Sequence, residues 1–209
     1  TNHAISKRES RADALYIMDA TAYGDSVDTM KTTIKTLDTN YAATYYPWVK
    51  IIDPGTDRPI WVPPSVVIPG VFAQNDRVAH EWFAPAGLNR GGLSNVLEAK
   101  TRLTHAERDI LYEGRINPIA SFPGQGVVVF GQKTLQAKPS ALDRINVRRL
   151  LINLRRQVKS IANTLLSEPN RVSTLNKFNS LLLGIRYDNN SIYGDIWTPR
   201  INYKLSSKD

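Results

Sequence analysis

The sequence predicts a mixed α/β (α+β) fold: a βαβ-containing sheet flanked by helices, followed by a smaller C-terminal domain with two helices and a sheet. Three observations carry this. A strand-like run, an amphipathic helical pattern and a second strand-like run follow one another within about 40 residues, the signature of a βαβ unit with a parallel pair. A long helical pattern then occupies residues 140–168 and a shorter one 171–183. Finally, hydrophobic residues at 42% and charged residues at 22% place the 209-residue chain among globular proteins able to bury a core.

The elements follow in order. Residues 1–9 lie in a polar, unpatterned stretch and read as a linker or strap. "ADALYIMDA", Ala12 to Ala20, is a short strand. In "DSVDTMKTTIKTLD" Val27, Met30, Ile34 and Leu37 recur at helical spacing, with Asp25 as the expected N-cap. "YYPWVKII" is rich in aromatic and β-branched residues and reads as one strand. After the turn "DPGTDRP", "IWV" is a short strand leading into a helical segment with Pro69 inside it. "APAGLNRGG" is loop chemistry. "THAERDILYEGRI" opens with a capping box, Thr104 with Glu107.

"NPIASFPGQG" is Pro/Gly-rich and is taken as a junction between an α/β core domain, 10–120, and a C-terminal domain, 121–209. Beyond it "VVVF" reads as a buried strand. The long helix is expected to be capped by Ser140 with Asp143 and to end before Pro169. Gly184 is the expected C′ residue of the next helix. The alternation of Ile201, Tyr203 and Leu205 suggests closing strands.

Composition excludes several chemistries. With no cysteine there is no disulfide framework, thiolate metal site or Cys nucleophile, which fits an intracellular assembly route. No apolar run approaches the roughly 20 residues of a membrane-spanning helix. The start at Thr1 rather than Met, with no signal-peptide pattern, points to a piece excised from a longer chain. A formal net charge of +8 favours an acidic partner.

Candidate sites are few. Asp19 ends the first strand, where open α/β sheets place ligands, and Thr21, Asp25 and Ser26 add oxygen donors suited to a hard cation. That is the basis of a metal-dependent hydrolase-like reading. The plainer reading, in which Asp and Thr cap the turn, is preferred. His3, His80 and His105 show no metal-ligand spacing. The glycines of "LNRGGLS" and "FPGQGVVVFG" lack the phosphate-loop ending and read as turns. No catalytic, cofactor-binding or metal residue is assigned.

The long helix is more informative. At 100° per residue, Val147, Leu150, Leu151, Leu154, Val158, Ile161 and Leu165 share one sector, the expected core face. Arg144, Arg148, Arg155 and Lys159 line its edge, with Arg149 and Arg156 further round, and Ile145 and Ile152 interrupt the basic side. This is either a solvated face with stems covering core edges or a docking stripe for an acidic surface. A nucleic-acid-binding module would also use it, but no aromatic interleaving or recognition motif accompanies it.

The ordered set "NYAATYYPWVKI", "WVPPSVVIPGVFAQND", "APAGLNRG", "LYEGRINPI", "FPGQGVVVFGQKTL" and "DRINVRRL" resembles the contractile-tail sheath protein of T4-like myophages and related injection particles, from about Ala12 to Asn170. The resemblance implies a non-enzymatic structural subunit without cofactors. Its partners would be copies of itself, the tail tube protein, and the baseplate and tail terminator proteins, with no nucleic acid and no membrane. It implies assembly in the host cytoplasm into the virion tail, and contraction that drives the tube through the host envelope. Family members carry terminal arm strands and outer domains, so this chain resembles a core, C-terminal, protease-resistant fragment. The family's inner surface faces the tube, which makes Arg148, Arg149, Arg155, Arg156 and Lys159 the candidates for tube or intersubunit contact.

Overall fold

The computed structural model describes residues 10–20 and 22–188. The expected strap at 1–9 and the closing strands read from the alternation of Ile201, Tyr203 and Leu205 lie outside them. The chain divides into two compact units, Thr1–Leu154 and Arg155–Asp209.

In the first unit β1 (Tyr16–Met18), α1 (Val27–Lys35) and β2 (Ala42–Tyr46) form the expected βαβ unit. β1 and β2 are parallel, with Tyr16 opposite Ala42 and Met18 opposite Thr44. The N-cap of α1 is Ser26, whose hydroxyl accepts from the Thr29 amide; Asp25 instead accepts from the Ala22 amide at 2.7 Å. The run expected as one strand is two. Tyr46–Pro47 separates β2 from β3 (Val49–Ile52), which belongs to another sheet.

The main sheet has the order β1-β2-β6-β7, with β6 (Asn117–Phe122) parallel to β2 and antiparallel to β7 (Gly126–Val129). The stretch taken as a junction is thus a hairpin of the main sheet, and residue 120 lies inside β6. Gly124 and Gly126, at φ +74 and +75, supply the left-handed backbone its turn requires. Pro118 is tolerated because Asn117 replaces the ladder. Its side chain donates to Thr44 O at 3.0 Å and Lys133 O at 2.8 Å, and accepts from Lys133 N at 2.6 Å.

The second sheet is antiparallel, β4-β3-β5, from β4 (Pro59–Val62) and β5 (Val96–Ala99), the latter unmarked in the sequence reading. Alternate residues of β2 feed two cores. Ala43 and Tyr45 join Val49, Val62, Ile119 and the helix α2 (Pro64–Val78), while Ala42 and Tyr46 join Met30, Ile34 and Leu111. Leu111 belongs to α3 (His105–Glu113), which has the predicted capping box. The sheet therefore carries α1 and α3 on one face, and α2 with the second sheet on the other. Full burial of a side chain such as Ile68 contributes roughly 1.5–3 kcal/mol.

α2 opens with Pro64 at its first turn, where a missing N–H costs little, and also holds Pro69 inside it, as expected. A short 3-10 turn (Ala141–Asp143), capped by Ser140, precedes α4 (Ile145–Thr164), so the expected single helix begins five residues later than its cap. In the second unit α5 (Val172–Asp188) runs through Gly184 rather than stopping there. No residue among 155–182 is buried.

Candidate functional site

The first half of α4 is seated on the first unit through the side expected to be basic and exposed. Ile145, Arg148 and Ile152 are buried; Leu151 and Leu154 are 39% and 44% exposed. This reverses the expected core face. The reason is the partners waiting on the core. Ile145 enters the larger hydrophobic cluster, and its amide donates to Gln132 O at 2.9 Å. The Arg148 guanidinium lies 4.1 Å from the centre of the Tyr41 ring, with only 6% of the residue exposed. Arg149 pairs with Asp76 of α2 and lies over Phe72 at 4.6 Å. Asn146 donates to Trp82 O at 2.9 Å, and Asn153 to Glu81.

The five predicted contact residues therefore separate. Arg148 and Arg149 are built into the fold, where a planar guanidinium can stack on an aromatic face and pair with a carboxylate. Arg155, Arg156 and Lys159 are exposed on the second unit's part of α4. Sequence reasoning could not see Asp76, Phe72 or Tyr41 as partners, since they lie 73 to 107 residues away in the chain. Near the helix start, burial pushes the Lys133 ammonium below the usual lysine range, and the like charge of Arg144 adds to this. Beneath the helix, burial raises the Tyr45 hydroxyl well above the usual tyrosine range, against the pull of Arg149.

Asp19 has a structural task. Its carboxylate accepts from the Ser65 amide at 3.1 Å and from the Ser65 hydroxyl, capping α2, whose own N-cap residue Pro63 offers no side-chain acceptor. Ser26 and Asp25 serve the α1 turn. Among the described residues no group of three or more His, Cys, Asp or Glu could hold a metal ion, and no helix is long and apolar enough to cross a membrane. His80 stacks on Trp82 at 3.6 Å, and His105 pairs with Asp109 at 3.0 Å. Gly87 and Gly91 of "APAGLNRGG" press backbone on backbone: Gly87 N donates to Val129 O at 2.9 Å, Val129 N to Gly91 O at 2.8 Å, and a side chain at Gly91 would collide with Val129 O.

Fold and site together define a packing domain, one whose polar residues hold backbone and helices in place. Comparison with known proteins gives the family. The phage tail sheath protein central domain matches residues 1–135. The tail sheath protein of Vibrio phage KVP40 is 40% identical over 151 residues, 72% of this chain and 22% of that protein. That of Enterobacteria phage T4 is 35% identical over 159 residues, 76% of this chain and 23% of that protein. Among solved structures, the contracted sheath complex of an extracellular contractile injection system, PVC, superposes with a TM-score of 0.73 at 26% identity, over 88% of this chain and 50% of that one. The contracted helical sheath of the anti-feeding prophage gives 0.71 at 25% identity, over 91% and 50%. The chain belongs to the phage tail sheath protein family, and spans less than a quarter of the length of these curated relatives.

Proposed function

We propose that the chain is part of a structural subunit that polymerises around a tail tube, is built into the virion tail in the host cytoplasm, and contracts to drive the tube through the host envelope. The free energy would come from repacking of subunit contacts between two assembled states, without hydrolysis. The observation that carries this reading is the family match over residues 1–135 together with superposition on two contractile sheaths. Copies of the chain, the tube protein, and baseplate and terminator proteins would be its partners.

Arg155, Arg156 and Lys159 are the residues through which the subunit would meet an acidic tube or a neighbouring subunit. They are exposed, clustered on one helix and free of any role in the first unit's core. Arg148 and Arg149 would act indirectly, by holding the helix that presents them. The experiment is electron microscopy of the full-length protein with its tube. Ordered sheaths from the wild type, and weakened assembly of Arg155→Glu/Lys159→Glu, are expected. Normal assembly of that variant would refute the docking role, and a wild type forming no tubular polymer would refute the function.

A further inference from the structure

The outward face of the second sheet gathers aromatic rings and ammonium groups. Along β3 Val49 enters the larger core, so Lys50 and Ile52 point the other way. Trp61 of β4 and Glu98 of β5 stand opposite Lys50 across the strands, and Pro59 opposite Ile52. The ladder runs one step further, Lys100 N donating to Trp48 O at 2.8 Å. Tyr23, from the turn before α1, leans on both tryptophans, its ring centre 5.6 Å from that of Trp48 and 5.9 Å from that of Trp61.

The two lysines of this face are held differently. Lys50 pairs with Glu98 at 2.9 Å. Lys100 Nζ lies 4.3 Å from the centre of the Tyr23 ring and 5.1 Å from that of Trp61, and donates to the Tyr23 hydroxyl at 2.6 Å. Among the described residues no carboxylate comes within ion-pair distance of it. An exposed lysine is ordinarily a mobile, hydrated charge. Here two rings and a hydroxyl fix the ammonium, and two of its three N–H donors remain. A cation placed in advance loses little freedom on pairing. Tyr23 is 46% exposed and Ile52 50%, while Trp48 and Trp61 are half-buried. Tryptophan and tyrosine around a fixed charge are the composition of an interface centre.

We propose that this face binds a segment of an acidic partner protein, an Asp or Glu carboxylate taking the free donors of Lys100 and apolar neighbours packing on Tyr23 and Trp61. Charge selects the partner: a second copy brings net charge +8, whereas an acidic protein is drawn to the same surface. The face lies wholly in the first unit and uses none of Arg155, Arg156 or Lys159.

Titration of the 209-residue chain with the peptide acetyl-Leu-Glu-Leu-amide, followed by NMR at the Trp61 indole, tests it. The wild type should shift saturably. The Gln analogue of the peptide should bind at least about tenfold more weakly, and Lys100→Met should weaken the Glu peptide as much. Arg155→Glu/Lys159→Glu should bind it as the wild type does. A shift that never saturates, equal binding of the two peptides, or binding that survives in Lys100→Met would overturn the site. Should Lys100→Met lose its circular dichroism, Tyr23→Phe decides. It keeps the ring and releases the ammonium, and should weaken the Glu peptide about threefold; an unchanged affinity would overturn the site. Sedimentation equilibrium decides the occupant, since a wild-type dimer lost in Lys100→Met would give the face to a second copy and overturn the acidic partner. None of these failures touches sheath formation by the full-length protein, so the proposed function is tested apart from them.

Discussion

β2 and the first half of α4 contribute to the same hydrophobic cluster and are held there in opposite ways. Every residue of β2 is buried, and its two faces feed two cores by alternation alone. α4 brings only Ile145 to it, buries Ile152 besides, and otherwise relies on a stacked Arg148, the Arg149–Asp76 pair and two asparagine hydrogen bonds. Burial is non-directional and tolerates volume-conserving change. Directional polar contacts fix one rotation of the helix. The strand is thus placed by how much it buries, and the helix by which partners it finds.

Tyr45→Ala should separate the two modes most sharply. It opens a cavity in the larger core and is expected to cost about 3–5 kcal/mol in denaturant unfolding. Tyr45→Phe removes only a buried hydroxyl with no protein partner, and should change stability by less than about 0.5 kcal/mol. A large loss in Tyr45→Phe would mean that the face β2 turns to the larger core depends on the Tyr45 hydroxyl and not on burial alone.

Asn117→Ala comes next. It strands Thr44 O and both backbone groups of Lys133, at about 1 kcal/mol or more each, roughly 3 kcal/mol in all. Hydrogen exchange of the Lys133 amide should accelerate with it; an unchanged rate would argue against the bridge.

The helix seat is the next test. Asp76→Ala leaves the largely covered Arg149 unpaired and should cost about 1 kcal/mol, discounted because the Asp76 side chain is 40% exposed. In the Asp76→Ala/Arg149→Met double variant most of that loss should return, since Met keeps the packing on Phe72. A cycle with no coupling would place the helix seat in apolar packing after all.

The capping box of α3 gives the most local test. Thr104→Ala should cost about 1 kcal/mol. The backbone and side-chain hydrogen bonds from Thr104 hold Glu107 below the ordinary glutamate value of 4.5. Its contribution is therefore present above 4.5 and is lost as pH falls through the depressed folded value. The variant should lack this acid limb. An identical pH profile below 4.5 would show that the pair does not act on stability.

Legibility followed locality. The βαβ unit, the capping box and the turn glycines were readable because their causes lie within a few residues. β6 was not readable. Pro118 argues against a central strand, and only Asn117 reaching Thr44 and Lys133 offsets it. The long helix was readable as a helix, and its apolar sector as a sector, but not which way that sector would point. Three of the five basic residues assigned to it are exposed, and the other two serve the core.

By itself the sequence determined periodicity, capping and the ordered motifs of the sheath family, since these are properties of neighbouring residues. The tertiary structure alone decided that Asp19 caps α2, that a Pro/Gly stretch forms a hairpin of the main sheet, and that the first half of α4 sits on Ile145, Ile152 and its arginines. An amphipathic stripe states that apolar surface needs a cover. Whether the cover is the chain's own core or another molecule depends on groups far apart in sequence, which only folding brings together.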